Sequence, residues 1–274
     1  MTGEALSQGL CDTHMHVFDE NAVSSTGERP GLHAPYDLYR EFADRLNIRR
    51  VVVVAPAVYG GNNECLLSAL QQLGEAGRGI ATVGPQVQDA ELDALDRAGV
   101  RGVRVNSIYG ARLGADELKS LDARLSARDW VMELMVKPDE LVRRLPEFMA
   151  LRSRKVLTHL GNIPSNYERH EASWDAVRRL MEQGRTWMKL SLASAARLLD
   201  TDQAHRIDDT LHALRPFARG RMVWGSNWPH VMYDRFATLP CEDERLLNYL
   251  RPLLGQEEWD AVTRHTPQAL YFSR

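Results

Sequence analysis

The stretch Trp224-Gly225-Ser226-Asn227-Trp228-Pro229-His230 gives the clearest signal for the fold of this 274-residue chain. It begins at the end of an apolar run, 221–224, that is typical of a buried strand. Gly225 permits a sharp turn of the backbone after that strand, and Pro229 stiffens the following loop by fixing its own φ. The pattern therefore predicts a late strand with a polar side chain, Asn227, at its carboxyl end.

Apolar runs of strand length recur along the whole chain, with amphipathic helical patterns between them. The predicted strands are 9–15, 50–55, 79–84, 101–105, 130–136, 154–159, 186–191 and 221–226. The predicted helices are 36–47, 61–75, 89–98, 114–128, 138–151, 174–184, 203–218, 240–253 and 256–265. Several strands are continuously apolar, as expected for parallel strands that are buried on both faces.

Eight strand–helix units predict an α/β fold, a single (β/α)₈ TIM-barrel domain over residues 1–274. A doubly wound sheet is the alternative. No Gly-x-Gly-x-x-Gly or phosphate loop follows an early strand, which disfavours that alternative. The longest segment without predicted structure, 17–35, follows the first strand, so we predict a lid or binding loop on the catalytic face.

The composition excludes several classes of protein. A net charge of −3 gives no sign of a basic face, which disfavours nucleic-acid binding. No apolar run is long enough to span a membrane, and the first ten residues lack the pattern of a signal peptide. Three widely spaced cysteines, Cys11, Cys65 and Cys241, are typical of a reducing compartment. We therefore predict a cytoplasmic protein, with no signal for an oligomeric state.

Two histidines close the first predicted strand, in Asp12-Thr13-His14-Met15-His16. Side chains two apart in a strand point to the same side, so both imidazoles are predicted to face the barrel mouth and Met15 the helices. This spacing suits two nitrogen ligands for one Zn²⁺ or similar ion, although packing alone also produces such pairs. Asp12 is predicted to hold one imidazole in a fixed tautomer, or else to cap a turn.

A third histidine and three arginines lie at or after the ends of later strands. His159 ends the sixth predicted strand and is the third candidate for a converging imidazole. Arg104 ends the fourth strand, Arg112 follows in its loop, and Arg197 follows the seventh strand. Guanidinium groups at a barrel mouth bind carboxylates well, so we predict substrate binding by these arginines, with surface ion pairing as the alternative.

Five more side chains lie in or just after predicted strands. Ser191, His230 and Tyr59 are predicted to contact the substrate at the barrel mouth. Lys189 and Glu133 lie inside predicted strands, where a buried charge needs a partner. We therefore expect these two residues either to form a mutual salt bridge or to take part in catalysis.

Three motifs together resemble the amidohydrolase superfamily, namely D-T-H-M-H at 12–16, T-H-L-G-N at 158–162 and W-G-S-N-W-P-H at 224–230. The closer likeness is to its branch of lactone-acting enzymes, which includes 2-pyrone-4,6-dicarboxylate lactonase and D-galactarolactone isomerase. A-G-V-R-G-V-R-V-N at 98–106 and H-T-P-Q-A-L-Y at 265–271 add support, and the resemblance covers residues 10–272. It implies a barrel with the site at the carboxyl ends of the strands.

The resemblance also implies which residues are catalytic. In metal-dependent members, residues matching His14, His16 and His159 help to bind a divalent ion, and the residue matching Asn227 is usually an aspartate that serves as ligand and general base. An amide does not accept a proton near neutral pH and is a weaker ligand than a carboxylate. We therefore expect these four residues to act without a cofactor, with one Zn²⁺ or other divalent ion at the three histidines as the alternative.

The predicted function is hydrolysis of the ester bond in a small carboxylated lactone, of the pyrone-dicarboxylate or sugar-acid type, within aromatic or carbohydrate catabolism. In this hypothesis the histidines polarise the carbonyl group and Arg104 binds the carboxylate. Lactone isomerisation through an internal hydroxyl is the first alternative, because proximity replaces part of the base assistance. Two further candidates are a metal-dependent amidohydrolase or decarboxylase and a non-catalytic binding protein.

Overall fold

The computed structural model describes residues 9–29, 31–108, 112–163, 170–191, 205–230 and 240–273. Eight parallel strands form one sheet in chain order, so the predicted TIM barrel is confirmed. The strands are β1 (Leu10–Met15), β2 (Ile48–Val54), β3 (Gly77–Ala81), β4 (Val100–Asn106), β5 (Val131–Met135), β6 (Arg154–Leu157), β7 (Thr186–Leu190) and β8 (Met222–Trp224). Two predicted strands are shorter than expected, since β6 ends at Leu157 and β8 at Trp224.

Helices alternate with the strands. They are α1 (Tyr36–Arg45), α2 (Glu64–Leu73), α3 (Asp89–Arg97), α4 (Ala115–Ala127), α5 (Pro138–Arg143), α6 (Leu145–Ala150), α7 (Glu171–Glu182), α8 (His205–Ala218), α9 (Pro240–Leu254), α10 (Gln256–Asp260) and α11 (Thr266–Tyr271). The predicted helix 138–151 is two helices, because Pro146 is best placed in a first helical turn. A π-helical turn, Ala261–His265, replaces the second half of the predicted helix 256–265. Within the described ranges, no helix is long and apolar enough to span a lipid bilayer.

Alternate residues of the strands enter two different apolar clusters, as the two-residue period of a strand requires. Val51 and Val53 pack outward with the helices in the larger cluster. Val52 and Val54 point inward and pack with Tyr271 in a second cluster. Each fully buried aliphatic side chain stabilises the fold by about 1.5–3 kcal/mol. The inner cluster fills part of the barrel interior with apolar side chains, so the polar side chains of the interior gather elsewhere along the strands.

The barrel closes between β8 and β1 through the residues that follow β8. The backbone N–H of Asn227 donates to the His14 carbonyl at 2.7 Å, and the N–H of His16 donates to the Trp228 carbonyl at 2.9 Å. A β-bridge also joins Met15 to Trp228. The stretch 224–230 therefore continues the sheet beyond the short strand β8 and joins the last strand to the first.

Gly225 allows this closure. A Cβ atom at this position would lie 2.5 Å from the Cβ of His14 and 2.9 Å from its backbone nitrogen, closer than real Cβ contacts permit. Any larger residue would push the chain away from β1. The contact between the first strand and the residues after the last strand thus depends on Gly225, which touches His14 of the predicted site.

Candidate active site

Three imidazole rings meet at the carboxyl ends of β1 and β6. The ring centroids of His14 and His16 are 4.9 Å apart, and those of His14 and His159 are also 4.9 Å apart. His14 and His16 are buried, and His159 is partly exposed. Met15 packs in the outer core, as the alternation along β1 predicts. The structure thus brings together the three histidines that the sequence singles out.

His159 lies just beyond its strand and not within it. It begins a 3₁₀ turn, His159–Asn162, in which every residue has a positive φ, from 50° at His159 to 70° at Gly161. Such angles are incompatible with a β-strand, so the chain leaves the sheet after Leu157. Left-handed backbone in bulky residues is uncommon outside positions that the surroundings enforce. This turn carries the His159 ring to its place beside His14.

Asn227 occupies the β8 corner of the site. Its backbone has a φ of 61°, a conformation that asparagine tolerates better than most residues, and its side chain is almost buried. The amide group forms a hydrogen bond with the ring of His16. Asn227 therefore contacts the imidazole cluster directly, where the resemblance places an aspartate in most family members.

The proton of His16 is located by its other partner. Nδ1 of His16 lies 2.7 Å from the carbonyl oxygen of Val54. A carbonyl only accepts hydrogen bonds, so Nδ1 carries the proton and Nε2 carries a lone pair in the neutral ring. The side chain of Asn227 contacts the same ring, and its hydrogen bond raises the pKa of His16 against the lowering effect of burial. The tautomer of His16 follows from the Val54 contact alone.

Asp12 does not hold an imidazole, contrary to the first expectation from the sequence. Its Oδ1 accepts from the backbone N–H groups of His14 and Ser226, each at 2.9 Å. Its Oδ2 accepts from the hydroxyls of Ser226 at 2.6 Å and Tyr39 at 2.9 Å. Burial raises the pKa of Asp12 to about 6, against the lowering effect of these hydrogen bonds. Asp12 thus ties β1 to the loop after β8 and to α1.

Glu133 and Lys189 form the mutual salt bridge that was one of the two expectations for them. The Lys189 ammonium donates to Oε1 of Glu133, and both side chains are fully buried. The same ammonium donates to the Thr13 carbonyl at 2.7 Å and lies 3.3 Å from Nδ1 of His14. Burial lowers the pKa of Lys189, and Glu133 opposes that shift. The pair therefore lies against the imidazole cluster.

Arg104 adds a second buried cation. It lies on β4, in register with Glu133 of β5, and is 6% exposed. Its guanidinium contacts the sulfur of Met135. The positive charge of Arg104 helps to lower the pKa of both His16 and His159, which shows that it is close to the rings. Arg104 is thus the predicted arginine that the structure places at the site.

All three imidazoles are uncharged near neutral pH. Burial is the main cause in each case, and it lowers the pKa of His16 and of His159 to about 3 and that of His14 well below its usual range. Lys189 and Arg104 add to the effect, because a nearby cation disfavours the imidazolium form. The rings act as neutral hydrogen-bonding groups and not as charged acids.

The amidohydrolase family model matches residues 11–272, a range that includes every site residue described above. The chain belongs to the amidohydrolase family. It is 26% identical over 276 residues to D-galactarolactone isomerase from Agrobacterium fabrum, covering 97% of this chain and 92% of the relative. It is 28% identical over 270 residues to 4-sulfomuconolactone hydrolase from Rhizobium radiobacter, covering 95% and 87%. The resemblance drawn from the motifs is confirmed.

Solved structures agree on the fold of this amidohydrolase. A probable 2-pyrone-4,6-dicarboxylic acid hydrolase from Acinetobacter baumannii, with citric acid bound, has a TM-score of 0.82. The two sequences are 22% identical, and the match covers 96% of this chain and 99% of that one. At this identity the likeness supports the barrel and its strand order.

The remaining predicted site residues lie farther from the imidazole cluster or have different partners. The ring of His230 binds Asp243 of α9 at 2.7 Å, while its backbone N–H donates to the Asn227 carbonyl at 2.8 Å. The Arg112 side chain is 52% exposed and pairs at 3.1 Å with Glu140, which is fully buried and also pairs with Arg144. Substrate binding by His230 and Arg112 stays a prediction.

Three further predicted positions complete the set. Ser191 has a buried hydroxyl without a hydrogen-bond partner among the described residues. Its backbone carbonyl accepts a hydrogen bond from the ring of His159. The hydroxyl of Tyr59 donates to the Asp19 carbonyl at 3.0 Å and accepts from the Asp19 N–H at 3.1 Å. Tyr59 thus holds the start of the 17–35 segment instead of facing the rings. Arg197 lies outside the described residues.

The 17–35 segment is less irregular than the sequence suggests. Phe18 and Ala34 exchange two backbone hydrogen bonds of 3.0 Å, which bring its ends together. Phe18 lies between His16 and Tyr59, with ring centroids 6.1 Å and 5.9 Å away. The segment therefore starts and ends beside the imidazole cluster, and a role as a lid or binding loop stays a prediction.

Several residues that shape the site carry no signal in the sequence. Tyr39 and Tyr271 look like ordinary helix residues, yet their hydroxyls donate to Asp12 and Glu133. The Val54 carbonyl, which sets the tautomer of His16, has no side-chain signature at all. Both tyrosines are fully buried, and a buried hydroxyl needs a partner. The need of a buried hydroxyl for a hydrogen-bond partner is what indicates their roles.

The donor set does not fit a divalent ion in the way that the family resemblance implies. Among the residues that the structure describes, no three His, Cys, Asp or Glu groups are arranged to hold a metal. The fourth corner is an amide, which is a weaker ligand than a carboxylate, and two buried cations, Lys189 and Arg104, lie beside the rings. The positive charges of these two side chains repel a divalent cation at the rings. The side chains themselves are therefore the groups from which a reaction at this site has to be built.

Proposed function

We propose that this amidohydrolase opens the ester bond of a small carboxylated lactone by hydrolysis without a metal ion. The observation that carries the proposal is the convergence of three neutral imidazoles, His14, His16 and His159, with Asn227 in contact with His16. Neutral N–H groups in a buried site stabilise the negative charge that develops on a carbonyl oxygen during attack. Arg104 supplies the cation that attracts a carboxylate to the same place.

Two relatives and one structural neighbour support this substrate class. One relative is a D-galactarolactone isomerase and another is a 4-sulfomuconolactone hydrolase, so both act on lactones. The structural neighbour holds citric acid, a small polycarboxylate. A cytoplasmic role in the catabolism of sugar acids or aromatic acids follows from such substrates and agrees with the free thiols of Cys11 and Cys65.

In the hydrolytic reaction, a water oxygen bonds to the lactone carbonyl carbon. The proton of that water moves to the lone pair on Nε2 of His16, and the ring C–O bond breaks. The released oxygen takes that proton back from His16, which leaves a hydroxy acid and a neutral ring. His14 stabilises the oxyanion through a ring N–H, and His159 and Asn227 orient the water and the lactone. The roles need no group beyond the side chains described.

Lactone isomerisation is the second candidate, and two observations favour it. Asn227 replaces the carboxylate base, and His16 is a weak base because its pKa is about 3. A hydroxyl of the substrate itself, already held next to the carbonyl, needs less assistance than a water molecule does. The hydroxyl oxygen attacks the carbonyl carbon, the original ester bond breaks, the hydroxyl proton passes to the released oxygen, and a lactone of different ring connectivity leaves.

The test is an assay of the purified protein against pyrone-type and sugar-acid lactones in ¹⁸O-labelled water. Hydrolysis places ¹⁸O in the carboxylate of the product, whereas isomerisation yields an unlabelled lactone. We expect His159→Asn to lower kcat/KM by at least about tenfold, or about 1.4 kcal/mol, because a ring that orients the reacting groups is lost. Binding without turnover across the panel, or loss of activity on chelation, would overturn the proposal.

A further inference from the structure

The environment of Lys189 determines which nitrogen of His14 carries the proton. The ammonium group is fully buried, so water does not compensate any unused donor. An ammonium has three N–H donors, and three acceptors surround this one. They are Oε1 of Glu133, the Thr13 carbonyl at 2.7 Å and Nδ1 of His14 at 3.3 Å.

We propose that Lys189 is a positioning residue, which donates to Nδ1 of His14 and thereby fixes the proton of this ring on Nε2. Glu133 holds the ammonium in place and compensates its charge, and Tyr271 donates to the same carboxylate oxygen at 3.1 Å. Nε2 of His14 is buried and has no hydrogen-bond partner among the described residues. Its N–H is therefore available to a substrate atom.

In His16 the proton is on Nδ1, whereas in His14 it is on Nε2. The Nδ1–H of His16 donates to the Val54 carbonyl at 2.7 Å, so Nε2 carries the lone pair. Two adjacent rings thus present one donor and one acceptor to the site. A divalent ion needs a lone pair from each imidazole, and the protonated Nε2 of His14 does not provide one.

This arrangement refines the proposed function, on which its catalytic meaning rests. The Nε2–H of His14 faces the lactone carbonyl oxygen, and the Nε2 lone pair of His16 faces the attacking hydroxyl. The amide of Asn227 carries no charge and draws no cation to this corner, whereas a carboxylate there attracts one. The identity of residue 227 and the contact between Lys189 and His14 therefore favour the same metal-free chemistry.

The direct test is long-range ¹H–¹⁵N correlation NMR of the full chain labelled with ¹⁵N-histidine, without substrate. His14→Gln and His16→Gln variants assign the two rings. We expect a protonated Nε2 in His14 and a protonated Nδ1 in His16. A protonated Nδ1 in His14 of the wild-type protein would overturn the proposal.

The variant test removes Lys189 and its counterion together, because Glu133 left alone would be an unpaired buried charge. In the Glu133→Leu/Lys189→Met double variant we expect the His14 proton to redistribute between the two nitrogens. We also expect kcat to fall at least about tenfold with KM changed less than about threefold, since a transition-state contact is lost. Lys155→Met is the matched control, because Lys155 is equally buried on β6 but donates to the Leu151 and Ser153 carbonyls.

Three outcomes are thereby distinguished. An unchanged His14 tautomer in the double variant, or the same change in Lys155→Met, would contradict the role of Lys189. Retention of one zinc per wild-type chain after desalting from equimolar Zn²⁺ would contradict the assigned proton positions on His14 and His16. Failure of every lactone in the panel would overturn the proposed function alone, because the nitrogen signals need no substrate.

Discussion

Asp12 and Glu133 are two carboxylates inside the same barrel, both fully buried, with different surroundings. Asp12 accepts four hydrogen bonds, all from uncharged backbone or hydroxyl groups. Glu133 pairs with the Lys189 ammonium through one oxygen, while its Oε2 has no hydrogen-bond partner among the described residues and lies 3.9 Å from Nδ1 of His14.

These surroundings indicate different roles for Asp12 and Glu133. Two of the hydrogen bonds of Asp12 come from backbone N–H groups where β1 meets the residues after β8, and two come from hydroxyls, so this carboxylate holds the chain together. The contacts of Glu133 end on a cation that touches a candidate catalytic ring. A buried ion pair is weak evidence for stability, because the desolvation of both ions offsets their attraction. We therefore assign Asp12 to the fold and Glu133 to the site.

The largest expected effect comes from breaking the ion pair at one end. Lys189→Met should lower the free energy of unfolding by about 4 kcal/mol, because it leaves the Glu133 charge buried and unpaired. The Glu133→Leu/Lys189→Met double variant should lose only about 1 kcal/mol, since no charge remains. Urea unfolding at pH 7 measures both values. Equal losses in the two variants would mean that the pair stabilises the fold in its own right.

The titration of Asp12 gives a smaller effect. Its pKa of about 6 in the folded protein lies above the usual 3.8, so the folded state binds more protons than the unfolded state between these values. The contribution of Asp12 to stability therefore falls as pH rises from about 4 to 6.5, by about 3 kcal/mol.

The measurement is the free energy of unfolding of the wild type minus that of Asp12→Asn, across this pH range. The buried histidines titrate in both proteins, so their effect cancels in the difference. We expect the difference to decrease with pH. A rising difference would show that the hydrogen bonds outweigh burial, and the description of Asp12 as a carboxylate raised by desolvation would be wrong.

The smallest expected effects come from substitutions of two arginines, the buried Arg104 and the half-exposed Arg112. Arg104→Met should lower kcat/KM at least about tenfold, because a buried guanidinium beside the rings is lost. Arg112→Met should lower it less than about threefold, because its guanidinium is half-exposed and already paired with Glu140. Steady-state kinetics on the best lactone of the panel compares them. Equal losses would place Arg112 at the substrate as well.

The sequence predicts the fold well because its strands are continuous apolar runs. Parallel strands buried on both faces leave little ambiguity in runs such as 50–55 and 130–136. The ends of β6 and β8 are harder to predict, since they depend on distant contacts. At His159 the chain enters a left-handed turn, and at Asn227 it pairs with the backbone of His14. No local pattern indicates either event.

The same division applies to the site. The positions of His14, His16 and His159 follow from their places at strand ends, because such ends meet at one mouth of the barrel. Their tautomers do not follow, because these depend on the Val54 carbonyl and the Lys189 ammonium from other strands. The sequence identifies which rings converge, and the three-dimensional contacts identify which nitrogen of each ring donates.

The closure of the barrel at residue 227 has an evolutionary consequence. The backbone N–H of Asn227 donates to His14 and its carbonyl accepts from His230, so main-chain atoms make the connection to β1. The side chain takes no part in that connection. An exchange of aspartate and asparagine at this position therefore leaves these backbone hydrogen bonds in place. Such a site allows a lineage to acquire a new activity while the ancestral fold is retained.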